Sequence, residues 1–437
     1  GTDEEKKYKY AFFRGTNDTR FMGESKGSDK AYTFRLLSNN ESKRVHLFES
    51  AIDLLSYATL LKMKNIDWKN ENMISLTLPE VINYIKVGER ILLNDGNVTL
   101  EVVSNSSDAI ICEIKNDGYI KSNCSVNIPK ANFNLKFLSE YDRETIKFAV
   151  LMQVDYLALS HVKDQLDVLD VNDLLIELSD DHIQIISKME NKTAIEEMKG
   201  ILKVSDGVMI ARGDLGIETG VENLPLYQQM MISKCRAKGK RVIMATQMMS
   251  SMKHSIRPTN AEVTDVANAV LSGCDAIMTS DETTMGEYPV ETIQNMKQIC
   301  ENVESYYRYD NNYAYVAENK TEIIASSVVN AANELGSKVI VAATMSGHSA
   351  RAISNLRPNA PILATVPTRK VARTLALSYG VYPIVVNEYN STDEVINDGV
   401  AQAKKFVELN SGDQIVIAGG FPNTGKKTTN FMKIEEI

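Results

Sequence analysis

An α/β protein with a parallel sheet is what this sequence predicts, and three observations carry the prediction. Between about residues 150 and 300, short apolar runs alternate with helical stretches, at a spacing of roughly 25 to 35 residues, the length of one βα unit. The runs are nearly continuous in apolar character, as strands of a parallel sheet covered by helices must be. Each ends in a polar or charged residue at its C-terminal edge, where the active sites of (β/α) barrels are assembled. Such a sheet can be a barrel or an open doubly wound sheet; the polar strand ends favour a TIM-type (β/α)8 barrel.

The runs are 154–160, 184–190, 207–214, 241–246 and 276–282. Their polar ends bring forward Ser160, Lys188, Glu190, Arg212, Asp214, Thr246 and Ser280. Strand-to-helix loops also use Ser and Thr as helix caps, which explains Ser160 and Ser280 equally well. Residues 75–128 read differently. Short β-like pieces at Glu89–Leu93, Val98–Val103 and Ala109–Ile114 are separated by Asn94-Asp95-Gly96 and followed by Asn116-Asp117-Gly118, hairpin signals of an inserted all-β module. After about residue 308 a second α/β unit follows, with strands near Lys338–Ala343, Ile362–Ala364, Tyr382–Val386 and Gln414–Ala418.

Bulk properties narrow the function classes. A chain of 437 residues exceeds what one core usually organises, which favours two or three domains. Charged residues make up 24% and apolar ones 43%, an ordinary globular balance, while a net charge of -9 argues against a nucleic-acid partner or an anionic membrane surface. The 5 cysteines have no metal-like spacing and an odd count, as expected in a reducing cytoplasm. No apolar run reaches the length of a membrane span, and the opening Gly1-Thr2-Asp3, without Met or leader character, suggests a cropped or processed start.

The chemistry-bearing residues cluster on two strands. In Ile185-Ile186-Ser187-Lys188-Met189-Glu190, residues two apart share a strand face, so a cation and a carboxylate point into one place. A structural salt bridge would use the same pair. The next run ends in Ala211-Arg212-Gly213-Asp214, where Gly213 admits a close ligand and the following residues open a helix. Asp214 and Glu190 together offer hard oxygen ligands for Mg2+ or Mn2+. With Lys188 they form a set that could stabilise an enolate oxygen. Further on, Thr344-Met345-Ser346-Gly347-His348-Ser349-Ala350 stands between a strand and a helix. It is either a phosphate nest or a helix-capping loop. Gly420 to Thr428 imitates a phosphate-binding loop, but Lys427 stands where Ser or Thr is required, and the residues after Thr428 have β-like rather than helical composition.

These segments resemble pyruvate kinase. The likeness is carried by residues 185–191 and by Ser205-Asp206-Gly207-Val208-Met209-Ile210-Ala211-Arg212-Gly213-Asp214-Leu215-Gly216. Ala245-Thr246-Gln247-Met248-Met249 and the stretch from Arg257-Pro258-Thr259 to Val270 extend it in the family's order. The resemblance implies a barrel domain from residues 1–23 and 129–308, a β-rich lid at 24–128 and a C-terminal α/β effector domain at 309–437. It implies phosphoryl transfer from phosphoenolpyruvate to ADP, a glycolytic step giving pyruvate and ATP. Lys188 would stabilise the enolate, Glu190 and Asp214 would hold Mg2+ or Mn2+, and K+ would be a second cation. Gly213, Asp214, Arg212 and Thr246 would contact substrate, Asp95 would lie in the lid turn, and Thr344, Ser346 and Ser349 would take a sugar-phosphate effector. A cytoplasmic homo-tetramer follows, or a hetero-oligomer with a paralogue.

Departures from the family concentrate on the nucleotide and phosphoryl side. The family's Thr-Ile-Gly-Pro and Asn-Phe-Ser-His-Gly strands do not occur, which leaves six recognisable barrel strands if Tyr10-Ala11-Phe12-Phe13 is the third. Cys124-Ser125 replaces a Lys-Gly pair, Gly286 lacks the preceding Lys, and His161 and Lys163 replace a Phe and an Arg. Three readings fit: an active kinase, a catalytically degenerate regulatory or structural subunit, and another enolate-forming enzyme that needs only Lys188, Glu190 and Asp214.

Overall fold

The computed structural model describes residues 12–14, 22–24, 35–36, 44–48, 72–76, 79–94, 96–106, 109–120, 124–129, 136–180, 182–306, 317, 319–420 and 429–437. They divide into two compact units, residues 1–136 and 137–437.

In the first unit, β1 (Phe12–Arg14) pairs antiparallel with β2 (Met22–Glu24). The stretch expected to be the third barrel strand is thus found in a local ribbon, since pairing with a near neighbour in sequence costs less closure entropy than a distant one. The other strands are β3 (Arg35–Leu36), β4 (Arg44–Phe48), β5 (Asn72–Ser75), β6 (Arg90–Leu93), β7 (Val98–Asn105), β8 (Ala109–Ile114) and β9 (Val126–Asn127). They form one sheet in the order β3-β5-β4-β8-β7-β6-β9, antiparallel except for β4 with β5. The β6–β7 hairpin turns where Asn94-Asp95-Gly96 predicted it, with Asn94 and Gly96 at positive φ; Asp95 itself lies outside the described residues. Asn116-Asp117-Gly118 does not join two paired strands. Asn116 instead accepts a hydrogen bond from Thr99 N–H at 2.8 Å and donates to Asn97 O at 2.7 Å, fastening the exit of β8 to β7. Ile91, Leu93, Leu100, Ile110 and Cys112 fill the core of this unit.

The second unit opens with α1 (Glu140–Leu151), whose Ser139 cap and Asp142 satisfy each other's backbone N–H groups in a capping box. Then β10 (Tyr156–Leu159), α2 (Gln165–Glu177), β11 (Gln184–Met189), α3 (Lys192–Glu196), α4 (Met198–Val204), β12 (Gly207–Ala211), α5 (Arg212–Thr219), α6 (Leu224–Ala237), β13 (Arg241–Ala245), α7 (Asn260–Ser272), β14 (Ala276–Ile277), α8 (Asp281–Thr284) and α9 (Pro289–Tyr306) follow. Strands β10 to β14 lie side by side in chain order and are all parallel. Alternation along them splits two apolar sets, as a period of two requires. Ile185, Val208, Ile210, Val242 and Met244 pack with the helices. Ile186, Met209, Ile243 and Ala245 form the opposite face with Tyr156, Met278 and Leu377. The strands end earlier than the apolar runs suggested: Arg212 and Asp214 lie in the first turn of α5, because a helix begins immediately after Ala211.

Toward the C-terminus come α10 (Lys320–Glu334), β15 (Ile340–Ala343), α11 (His348–Asn355), β16 (Ile362–Val366), α12 (Arg369–Leu375), β17 (Val381–Val385), α13 (Thr392–Phe406), β18 (Gln414–Gly419) and β19 (Phe431–Glu436). The sheet runs β17-β16-β15-β18-β19, parallel apart from the last strand. A strand, not the helix of a phosphate-binding loop, thus follows the Gly420–Thr428 stretch. This domain is fastened to the starts of the barrel strands. Arg241 donates to Tyr156 OH at 2.8 Å and Gln184 Oε1 at 2.7 Å, and also reaches Thr374 O at 3.2 Å. Fully buried Arg357 pairs with Asp275 at 3.0 Å and donates to Gly273 O at 2.7 Å. No described helix is long and apolar enough to cross a membrane.

Candidate active site

The C-terminal ends of β10, β11, β12 and β13 carry the candidate site. Lys188 and Glu190, two apart at the end of β11, meet: Lys188 Nζ stands 2.6 Å from Glu190 Oε1 and donates to Ser160 Oγ at 2.9 Å. Ser160, at the end of β10, thereby serves the site rather than a helix; the cap of α2 is Asp164. Glu190 is 1% exposed. A buried carboxylate is tolerated only when paired and hydrogen-bonded, and its second oxygen accepts the backbone N–H of His161 at 2.6 Å. His161 makes this possible by adopting φ 55, a left-handed conformation in which His is enriched among non-glycine residues.

On the neighbouring strand, β12 hands over to α5 through buried Arg212. Its guanidinium donates to Thr246 O from Nε at 3.1 Å and from Nη2 at 2.7 Å, and pairs with Asp265 at 2.5 Å. Arg212, expected to contact substrate, thus spends its donors on the loop after β13. That loop needs them: Thr246 and Gln247 have φ 67 and 55, costly for a β-branched residue and tolerated where surroundings over-determine the backbone. Gly213 N–H points at Thr246 Oγ1 at 2.8 Å, and that hydroxyl donates to Ala245 O at 2.7 Å. The α5 N-terminus and Thr246 are therefore one constellation, as the sequence placed them.

Asp214 sits in the first turn of α5, next to the strand that carries Lys188 and Glu190. One turn on, burial first and then the charge of Asp214 push the Glu218 carboxyl up to about 7. Among the described residues no three acidic, His or Cys side chains form a ready-made metal cage. The donor set of Glu190 and Asp214 is two carboxylates, which suits Mg2+ or Mn2+ completed by water and substrate oxygens.

Two carboxylates escaped the sequence reading. Glu282, 2% exposed, accepts Met249 N–H at 3.1 Å and Ser280 N–H at 2.7 Å, tying the loops after β13 and β14 together. Glu262 closes a capping box with Thr259 and accepts Ser251 N–H at 2.7 Å. The Thr259-x-x-Glu262 pattern was a readable signal for the latter; Glu282 had none. In the C-terminal domain, Thr344 and Ser349 are buried and Ser346 is exposed. The Ser349 and Thr429 hydroxyls share a hydrogen bond, and Gly347 turns the loop at φ 80.

Fold and site together define an enzyme of parallel βα units whose charged centre lies at the C-terminal ends of its strands. The barrel domain of pyruvate kinase matches residues 40–293, and the pyruvate kinase alpha/beta domain matches residues 322–435. A pyruvate kinase of Clostridium acetobutylicum is 38% identical over 370 residues, 83% of this chain and 78% of that protein. One from Staphylococcus haemolyticus is 38% identical over 388 residues, 86% of this chain and 65% of that protein. One from Staphylococcus aureus is 36% identical over 425 residues, 94% of this chain and 72% of that protein. The chain belongs to the pyruvate kinase family, as the resemblance implied. It spans just under two thirds of the S. haemolyticus relative and somewhat more of the clostridial one.

Proposed function

We propose that this chain catalyses phosphoryl transfer from phosphoenolpyruvate to ADP, followed by protonation of the enolate to pyruvate. The observation that carries the reading is the Lys188 ammonium held 2.6 Å from Glu190 and 2.9 Å from Ser160 at the mouth of the parallel sheet. When the P–O bond breaks, negative charge develops on the enol oxygen; a preorganised ammonium beside it stabilises the transition state more than the ground state. Glu190 and Asp214 would hold Mg2+ or Mn2+, which supplies Lewis-acid stabilisation of the phosphoryl and enolate oxygens when bound. Gly213 and Asp214, at the first turn of α5, face the substrate carboxylate with backbone N–H groups. Gly213 N–H now donates to Thr246 Oγ1, and that hydroxyl donates to Ala245 O; both would exchange these partners for the carboxylate when substrate binds. Arg212 acts behind it by fixing the Thr246 carbonyl.

K+, a lid carrying Asp95 and a homo-tetramer with residues 259–269 near a subunit boundary belong to the same reading. So does a sugar-phosphate site at Thr344, Ser346 and Ser349, supported by the β15–α11 turn at Gly347 and by Thr429 packed on Ser349. The same reading carries the domain division that the resemblance implies, 1–23 with 129–308, 24–128 and 309–437, although β1 and β2 lie in the compact unit 1–136.

The test is pyruvate release from phosphoenolpyruvate and ADP with Mg2+ and K+, with Lys188→Met as the control. Turnover lost in the variant supports the kinase. Absent turnover in a folded chain that still binds phosphoenolpyruvate with Mn2+ points to the regulatory subunit, the reading favoured by Cys124-Ser125 and the missing Lys before Gly286.

A further inference from the structure

We infer that Arg351 and Arg241, where α11 and α12 meet the feet of β10, β11 and β13, form a site for a small oxyanion: phosphate, or the phosphoryl group of a phosphate ester. Arg241, at the start of β13, is 6% exposed. Every partner of its guanidinium is neutral: Tyr156 OH at 2.8 Å, Gln184 Oε1 at 2.7 Å and Thr374 O at 3.2 Å. Its Nε is buried with no acceptor at all. A charge taken out of water is ordinarily matched by an opposite one, because hydrogen bonds to neutral groups do not cancel it.

Arg351 brings a second cation to the same junction. Its side chain runs back along α11, as long helical side chains do, and Nη1 donates to Ser346 O at 3.1 Å, the only hydrogen bond it makes among the described residues. That Nη1 and Leu375 Cδ2 stand 2.7 and 3.0 Å from the point where a Cβ on Gly347 would lie. Leu375 follows Thr374, whose carbonyl takes the Arg241 N–H, so the two guanidiniums flank the end of α12. Burial first, and then the charge of Arg241, pull the Arg351 guanidinium down to about 10. The carboxylates at hand do not balance them. Asp155 is taken by Arg373 at 2.7 Å, and Asp206, which gives Oδ2 to Ile185 N–H at 2.9 Å, also lies in the field of Lys240. A tetrahedral oxyanion supplies several acceptors at once and matches the fork of a guanidinium. Arg351 is only partly buried, which leaves the anion a way in from solvent.

The experiment follows thermal unfolding of the full chain while inorganic phosphate replaces chloride at constant ionic strength, so that general screening stays the same. Arg351→Gln keeps a donor for Ser346 O and loses the charge; Arg351→Lys keeps the charge. An anion bound only by the folded chain raises the midpoint with its concentration, and the wild-type rise should reach about 2 °C or more at about tenfold the dissociation constant. Arg351→Gln should abolish the rise and Arg351→Lys should retain part of it. Lys188→Met and Ser346→Ala, which alter the candidate active site and the β15–α11 loop, should retain it in full. Glycerol phosphate in parallel shows whether the free ion or a phosphoryl ester gives the larger shift, and either supports the site. A flat wild-type midpoint would overturn the inference. So would a rise lost in Lys188→Met or Ser346→Ala, or an equal rise in Arg351→Gln, which is what a purely structural tie to Ser346 predicts.

Discussion

Arg212 and Thr246, just past the C-terminal ends of the neighbouring strands β12 and β13, are joined by two N–H groups of one guanidinium on a single carbonyl, at 3.1 and 2.7 Å. The fork holds a β-branched residue at φ 67, and Asp265 holds the fork at 2.5 Å. Lys has no fork, so Arg212→Lys keeps the charge and loses the geometry. Turnover should drop by about 10- to 100-fold, since small displacements of positioning groups cost that much. Asp265→Asn should show a smaller loss in the same direction, read as kcat and KM for pyruvate release.

Glu282 makes a second tie, between loops rather than within one. Its buried carboxylate serves Met249 N–H and Ser280 N–H. Glu282→Ala leaves two backbone donors without an acceptor, at about 1–3 kcal/mol each where water cannot replace it. Urea unfolding should show a midpoint shift with an unchanged slope; an unchanged midpoint would mean solvent enters the gap.

How much of this was legible follows from sequence separation. Lys188 and Glu190 are two residues apart on one strand, so their meeting could be read from the period of a strand alone. The α5 opening at Arg212-Gly213-Asp214 was equally local. Arg212 with Asp265, 53 apart, and Glu282 with Met249, 33 apart, were not: no local rule says which polar residue a buried donor will find. The strand ends were overread by a few residues, because apolar character continues while the backbone has already turned helical at Arg212. Alternation in β6, β7 and β8 located the β-rich sheet, but not its parallel β4–β5 pair.

Glu218 gives the cation-free chain a pH signature. Its carboxyl is raised from the usual range to about 7, by burial and then by Asp214. A raised acid binds its proton more tightly folded than unfolded, so its contribution is full below the unfolded pKa and fades as pH rises through about 7. Between about pH 4.5 and 7, Glu218→Gln should flatten the downward slope of stability with pH. Mg2+ bound at Asp214 would offset the charge that helps raise Glu218, so the difference between wild type and variant should shrink when the cation is added. Denaturation midpoints in steps of pH, with and without Mg2+, read both effects.

Glu262 has the opposite sign. Burial alone would raise its pKa, but the Ser251 hydroxyl and N–H, with the Thr259 N–H and hydroxyl, outweigh it and hold the carboxyl below its ordinary value. Stability from this capping box is present above the unfolded pKa and lost as pH falls through the folded one. Glu262→Gln should therefore destabilise near neutral pH and make less difference in acid, measured as the gap between thermal midpoints at pH 7 and pH 4.

Arg357 and Asp275 test how the C-terminal domain is fastened to the barrel strands. The guanidinium is buried against Asp275 at 3.0 Å, Gly273 O at 2.7 Å, Ser354 O at 2.8 Å and the Tyr379 ring. Asp275 also accepts Val242 N–H at 2.9 Å, at the start of β13. Removing one partner strands the other charge in the interior, at about 3–5 kcal/mol. Removing both with apolar replacements of similar volume removes that penalty, so Arg357→Met with Asp275→Leu should cost less than the sum of the single changes. Val242 N–H would still lose its acceptor, which sets a floor near the 1–3 kcal/mol of one unsatisfied donor. A double-mutant cycle in urea gives the coupling directly: a value near zero would mean that backbone carbonyls alone hold Arg357, and a large one that the ion pair fastens α11 and the residues after it to the foot of the sheet.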